Sequence, residues 1–244
     1  MFLKELEDYP WFPSYLRKIQ LEYVGWISVQ LRLYHPLLKL LQQFPSNKWI
    51  DLASGSGWPA FYLQKNASHQ IHYTLTDLYP ESVSNEVSKH VNVEAEPFNL
   101  LDFQLEAGKQ YSMFNAFHHF TTAKQKEIIK KIIEAKSSCM IAEVLEPSWL
   151  CFLQVTLAAF ILQLFTAWAI RPFSFIRILN TYIIPIQLIT VAWDGWISVL
   201  KSKSLSQYKA LVSDLADNQY SIEVKRIKQL RGNLIVILAQ PKPS

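Results

Sequence analysis

Apolar side chains recur at steps of three and four through Leu16, Ile19, Tyr23, Trp26, Ile27, Leu31 and Tyr34, while Arg17, Lys18 and Gln20 take the other side. This spacing predicts a helix over 14–44, broken near Pro36. The period then changes. Segments 48–54, 71–78, 91–99, 110–120 and 137–147 carry short apolar runs and read as five strands. Between them the chain reads as helix: after the turn 55–59, with Pro59 in a first turn; over 80–90; and over 123–136, where Thr122 and Gln125 make an expected capping box. Strand alternating with helix at this interval predicts an α/β fold with an open, mostly parallel sheet covered on both faces. Segment 204–219 follows as a helix with Leu205, Tyr208, Leu211, Val212 and Leu215 on one face, and 220–230 and 233–241 are strands. Arg231-Gly232 is too short a link for a parallel crossover, so this last pair runs antiparallel.

The interval between the fifth strand and that helix has a different character. Segments 149–170 and 178–193 contain no charged residue; Arg171 and Arg177 lie between them, and Asp194 closes the second. The first segment is long enough to span a bilayer. Gln154, Thr156, Gln163 and Thr166 dilute it, however. Both flanks also belong to one sheet, so a spanning hairpin would carry two arginines across the membrane, against the positive-inside tendency. The expected form is a helical cap, buried in protein or resting on a membrane face, with the spanning hairpin as the alternative. The chain then divides into an N-terminal helical cap (1–46), a core (47–148 and 202–244) and a hydrophobic helical insert (149–201).

A chain of 244 residues is one domain with room for one insertion. Half of it is hydrophobic and 18% is charged, which excludes disorder and charge-driven scaffolds. Lys and Arg number 24 against 20 Asp and Glu, a scattered excess of +4 that does not point to nucleic acid. The run Lys225, Arg226, Lys228, Arg231 reads as a solvated strand face. Two cysteines, Cys139 and Cys151, without a CxxC pair, give no disulfide framework. The N-terminus lacks the apolar core of a secretory signal. These features place the protein in a reducing cytoplasm, with membrane association left open by the insert. No His, Cys and carboxylate residues recur at metal-ligand spacing, so no metal is expected.

Glycine is scarce, six in all, yet Gly55 and Gly57 sit together after the first strand. A glycine turn between strand and helix lets a ligand approach the backbone, and the helix start offers free N–H groups. Asp77 ends the second strand, where an acid can accept both hydroxyls of a ribose. Gly55-x-Gly57-x-x-Ala60 also fits a dinucleotide fingerprint, which keeps an NAD(P)-dependent oxidoreductase as an alternative. Asp51, four residues before Gly55, argues otherwise: its carboxylate would repel a pyrophosphate. It suits a ligand with an ammonium group, a sulfonium centre and an adenosine but no phosphate, which is S-adenosylmethionine (SAM).

With DLASGSG at 51–57 and TDLY at 76–79, the sequence resembles the class I SAM-dependent methyltransferase family over 48–147 and 204–241. Ala53 departs from the glycine more usual there. FNAFHHF (114–120), TYIIP (181–185) and WDG (193–195) are similar to a subset of bacterial methyltransferase-like proteins. The resemblance implies a Rossmann-like class I methyltransferase sheet, mostly parallel with the last strand antiparallel, plus an N-terminal helix and a helical insert after strand five. It implies that Asp51, Ala53, Ser54, Gly55 and Gly57 hold the methionyl part, with Asp77 on the ribose, Leu78 against the adenine and Asn115 also in the cofactor site. Asn99 and Asp102 are the two candidates for the adenine amino group.

His118 and His119 end the fourth strand, beside the expected donor methyl, where a histidine can take a proton near neutral pH or simply pack. Glu143 and Glu146, at the end of strand five, are further candidates. Four tryptophans (Trp149, Trp168, Trp193, Trp196) lie in the insert, and Trp11 and Trp26 lie in the N-terminal segment. An aromatic, apolar pocket built from both segments suits a small hydrophobic acceptor. Trp11, Trp26, Glu143, Trp193 and Asp194 are the expected substrate contacts, with Asp194 either the fixed charge of that pocket or the cap of a helix through Trp196 to Leu200. A non-catalytic, membrane-seated module on the same fold is the remaining alternative.

Overall fold

The computed structural model describes residues 4–80, 83, 88–102, 104–215 and 219–242. Seven strands are present: β1 (Lys48–Leu52), β2 (His72–Thr76), β3 (Val91–Val93), β4 (Gln110–Phe114), β5 (Ser138–Glu143), β6 (Tyr220–Ile227) and β7 (Leu234–Pro241). They form one sheet in the order β3-β2-β1-β4-β5-β7-β6. β1 through β5 pair in parallel, and β7 runs antiparallel to both β5 and β6. Every residue of β4 and β5 is buried, as apolar runs covered on both faces should be. Edge strand β6 instead turns Ser221 and Glu223 toward solvent.

Helices cover both faces. α1 (Ser14–Gln30), α2 (Leu37–Leu41) and α3 (Trp58–Asn66) precede α4 (Thr122–Glu134). Leu37, Leu41, Phe61 and Leu63 pack with Trp49, Tyr73 and Val236 on one side. Ile128, Ile129 and Ile132 pack with Leu52, Met113, Tyr208 and Ile237 on the other. The first predicted helix stops at Gln30, before Pro36, because Arg32 takes a left-handed φ of 56°. The cap of α4 is Thr121, whose side chain accepts from Lys124 N, and not Thr122. Gln125 is drawn away from a capping role because its Nε2 donates to Phe117 O at 2.7 Å. The fourth strand ends at Phe114, short of the predicted 120, because Asn115 turns left-handed at φ 51° and Phe117–His119 coils into a 3₁₀ turn. The helix expected over 80–90 falls mostly outside the described residues.

The insert is helical throughout most of its length. α5 (Trp149–Leu157) runs through a π turn, Ala158–Leu162, into α6 (Gln163–Thr166). α7 (Phe175–Ile178) runs through a second π turn, Leu179–Ile183, to Pro185, where the chain bends by 86° into α8 (Ile186–Lys201). α9 (Leu205–Val212) then returns to the sheet behind a Ser204–Gln207 capping box. α5 and α8 cross closely: a Cβ on Gly195 would lie 2.3 Å from Val155 Cγ1.

The insert lies along α1. Tyr23 Oη donates to Ala158 O at 2.6 Å, and Gln187 Nε2 donates to Ile19 O at 3.1 Å. Arg177 is fully buried and spends its guanidinium on Glu22 Oε2 (2.9 Å) and on the carbonyls of Ala167, Ile170 and Pro172. The arginine loop therefore folds back onto α1 instead of projecting from the protein. The outer face is apolar: Trp149, Phe165 and Phe175 are 77%, 72% and 81% exposed. The helix Trp149–Thr166 is long and apolar enough to cross a bilayer, and only 17% of it is buried.

Candidate functional site

The site begins where strand order reverses between β1 and its two neighbours, β2 and β4. In-register pairing sets Asp51 beside Ser112, and Ser112 Oγ donates to Asp51 Oδ1 at 2.5 Å. The Asp51 backbone carbonyl accepts from Ser54 Oγ (3.0 Å) and Thr76 Oγ1 (2.8 Å), tying the turn to β2. Burial pushes the Asp51 carboxyl up to about 7, against the hydrogen bonds from Ser112 and Ser54 and with help from nearby Asp77.

The turn itself is left-handed at Ala53 (φ 51°), Gly55 (φ 55°) and Gly57 (φ 73°). A Cβ on Gly57 would lie 2.6 Å from Leu75 Cδ1, so only glycine fits there. Ala53 holds a conformation that suits the glycine it replaces. Asp77 closes the turn: its carboxylate accepts from Gly55 N (2.7 Å) and Tyr79 N (2.8 Å). Leu78 is half exposed beside it. Asn99 and Asp102 are not separate: Asn99 Nδ2 donates to Asp102 Oδ2. Asn115 Oδ1 accepts from Val144 N at 3.3 Å, which links the ends of β4 and β5. α1 lies directly over the turn, since a Cβ on Gly25 would sit 2.4 Å from Ser56 Oγ and 2.6 Å from Trp58 Cδ1.

The 3₁₀ turn after β4 carries both histidines. His118 is buried and its Nδ1 lies 2.7 Å from Glu143 Oε2, while Phe117 N donates to Glu143 Oε1 at 2.7 Å. Glu143 thus spends both oxygens on this turn, and it reaches any substrate only through His118. His118 Nε2 is buried and has no hydrogen-bond partner among the described residues. His119 faces the N-terminal segment: Nδ1 is 3.0 Å from Asp8 Oδ1 and Nε2 is 3.3 Å from Glu5 Oε2. Lys201 Nζ joins Glu5 Oε1 at 2.8 Å and Asp8 Oδ2 at 3.1 Å. Burial disfavours charge on His119, but Glu5, Asp8 and Glu7 outweigh it and lift the imidazole to about 10. Burial pushes Glu7 up to about 8. One ligand atom from each of Glu5, His118 and His119 lies within 4.8 Å of the others. Three-dimensional proximity brings these three together, and Glu5 is too far along the chain for spacing to reveal it.

A scan against protein-family models and a search of curated proteins find no match. Solved structures do match. The plantazolicin methyltransferase BpumL in complex with SAH aligns over 94% of this chain and 88% of that one, with a TM-score of 0.55 and 10% identity. The same enzyme with a monoazolic desmethylPZN analog and SAH aligns over the same shares with a TM-score of 0.53 and 10% identity. The fold is the Rossmann-like methyltransferase fold.

On that methyltransferase fold, the tryptophans and Asp194 occupy unexpected places. Asp194 lies inside α8 and is buried, so it does not cap the segment Trp196 to Leu200. Its carboxylate accepts from Leu6 N (2.5 Å), Glu7 N (3.2 Å) and Gln20 Nε2 (2.5 Å), capping the 3₁₀ turn Leu6–Asp8. Burial lifts it to about 6 against those donors. Trp11 is 67% exposed and stacks on Tyr9 with ring centroids 5.2 Å apart. Trp193 is 40% exposed, and Trp26 packs with Tyr23, Ala159 and Val191 between α1 and the insert. Glu146 pairs with Arg226 and accepts from Asn233 Nδ2. Sequence reasoning missed Glu5, Asp8 and Lys201, and the only hint of them was an acidic N-terminal run of otherwise ordinary composition.

Proposed function

We propose that the protein is a SAM-dependent methyltransferase acting on a small hydrophobic or aromatic acceptor. The observation that carries this reading is the pair Asp51 and Asp77 on either side of a glycine turn that is left-handed at Gly55 and Gly57. When bound, SAM would supply a sulfonium-activated methyl group, open to in-line attack by an acceptor heteroatom with SAH as the leaving group. Asp51 offers a buried negative charge to the methionyl ammonium, and Asp77 offers acceptors to the ribose. The same Asp51 disfavours a pyrophosphate, which argues against the nicotinamide alternative. Alignment supplies most of the catalysis in such a displacement. His118, its Nδ1 held by Glu143, stands in the turn that follows β4, next to the end of β5.

The test is mass spectrometry of the purified chain for retained SAH, followed by calorimetric titration with SAM, SAH and NAD. Asp77→Ala is expected to weaken SAM binding by about 1.5–3 kcal/mol through lost charge-assisted hydrogen bonds. Binding of NAD in place of SAM, or unchanged SAM affinity in Asp77→Ala, removes the assignment.

We infer also that the outer face of the insert rests on a lipid surface of the cytoplasmic side. Trp149, Phe165 and Phe175 point outward from helices that lie along α1, the arrangement of an interfacial helix. The buried Arg177–Glu22 pair ties the loop between the two apolar segments to α1, which argues against a spanning hairpin.

A further inference from the structure

We propose that Glu5, His118 and His119 form a site for one divalent transition-metal ion, of the zinc class. Both histidines are backed at Nδ1 by a carboxylate, His118 by Glu143 at 2.7 Å and His119 by Asp8 at 3.0 Å. Carboxylates so placed fix the tautomer of a metal-ligating histidine and aim its Nε2. Here the two Nε2 atoms remain, that of His119 ion-paired with Glu5 and exchanging its proton for the ion. That of His119 lies 3.3 Å from Glu5 Oε2. In a tetrahedral site with bonds of roughly 2.0–2.1 Å, neighbouring ligand atoms are ~3.3 Å apart. That of His118 is buried and unpartnered among the described residues. The two ring centroids are 4.6 Å apart, and the three ligand atoms all lie within 4.8 Å of one another.

The surrounding charge favours a cation. Glu5, Asp8 and Glu143 meet in this corner, faced by Lys201 and by the proton that the ion displaces from His119. Lys201 engages Glu5 through Oε1, and Glu5 Oε2 faces His119 Nε2. Two imidazoles and one carboxylate, with no thiolate, suit zinc and its first-row neighbours. Three protein ligands leave a fourth position open, the form of a catalytic site. On the methyltransferase reading, that position takes the acceptor's thiol or hydroxyl through its heteroatom and makes its proton easier to lose. This role rests on that reading; metal binding itself does not.

The experiment uses the full chain, stripped with a chelator and titrated with Co²⁺ under visible spectroscopy and with Zn²⁺ in a calorimeter. The expected result is one ion per chain, a ligand-field band from tetrahedral Co²⁺, and displacement of Co²⁺ by Zn²⁺. Glu5→Gln and His119→Gln should each weaken Zn²⁺ binding by at least tenfold, and Glu143→Gln by 10- to 100-fold. SAH titration and melting temperature identify variants that stay folded, and the wild-type Co²⁺ spectrum decides if they do not. Absence of the Co²⁺ band in wild type, or unchanged Zn²⁺ affinity in folded Glu5→Gln and His119→Gln, overturns the site. Zn²⁺ binding without SAH binding upholds the site and removes the methyltransferase reading instead.

Discussion

Cofactor affinity should depend on pH through Asp51. In the unliganded protein, burial holds this carboxyl at about 7. A bound ammonium favours the carboxylate, so the complex carries Asp51 ionised and its pKa falls on binding. The sign follows directly. Affinity is full above the unliganded value and is lost as pH drops through it, because a proton must then leave before the ligand can bind. The apparent dissociation constant scales with one plus the ratio of protonated to ionised Asp51. With a pKa near 7, that factor is roughly 11 at pH 6 and roughly 1.3 at pH 7.5. SAH should therefore bind about eightfold more weakly at pH 6 than at pH 7.5, or about 1.2 kcal/mol. The window stops at pH 7.5 because a free α-amino group begins to lose its own proton at roughly 7.7–8.0. Calorimetric titration in buffers of different ionisation heat would also show a proton released on binding at pH 6. Asp51→Asn should bind weakly and without this slope. A flat wild-type profile, or the same slope in Asp51→Asn, would refute the placement of the ammonium at Asp51.

Gly25→Ala should cost about 1–3 kcal/mol in chemical denaturation, because its Cβ would meet Ser56 Oγ at 2.4 Å, and should weaken SAH binding as the turn shifts; a gain in stability, as at an open helix position, would show that α1 does not press on the turn. Arg177→Met should destabilise by about 3–5 kcal/mol by leaving Glu22 buried and unpaired, and adding Glu22→Gln should recover much of it; a loss under about 1 kcal/mol would mean the insert tip is not docked on α1. In vesicle flotation the protein should rise with lipid, and the triple change Trp149→Ser, Phe165→Ser, Phe175→Ser should leave it at the bottom with its melting temperature intact; equal flotation of both would show that the outer face does not meet the bilayer.

The sheet and the cofactor turn were legible because their signals are local. Apolar runs of five residues, a glycine pair and two strand-end aspartates lie within a few residues of the atoms they position. Strand lengths were overestimated where a left-handed residue ends the strand, as at Asn115, since no pattern of apolar positions reports a single φ. The histidine turn was visible as a motif but its partners were not. Glu143, Asp8 and Glu5 reach it from β5 and from the far N-terminus, and such contacts leave no period in the chain. The arginines were read as opposing a span; Arg177 is buried against Glu22, a contact also invisible to spacing.

The WDG segment has a clear part in holding the fold together. Gly195 lets α5 pass within contact of α8, because any Cβ would strike Val155. Asp194 points the other way and grips the backbone of Leu6 and Glu7. About two turns further on, at the end of α8, Lys201 grips Glu5 and Asp8. α8 therefore joins the insert on one face to the N-terminal turn on the other, and that turn supplies every carboxylate that His119 meets. Asp194 acts on the histidine site by fixing where Glu5, Glu7 and Asp8 stand. Its carboxylate already takes three donors, so it has no need of a ligand's charge. Removing it as Asp194→Ala would strand two backbone N–H groups and free the turn, and the loss would register first in the surroundings of His119 rather than in cofactor binding at Asp51 and Asp77.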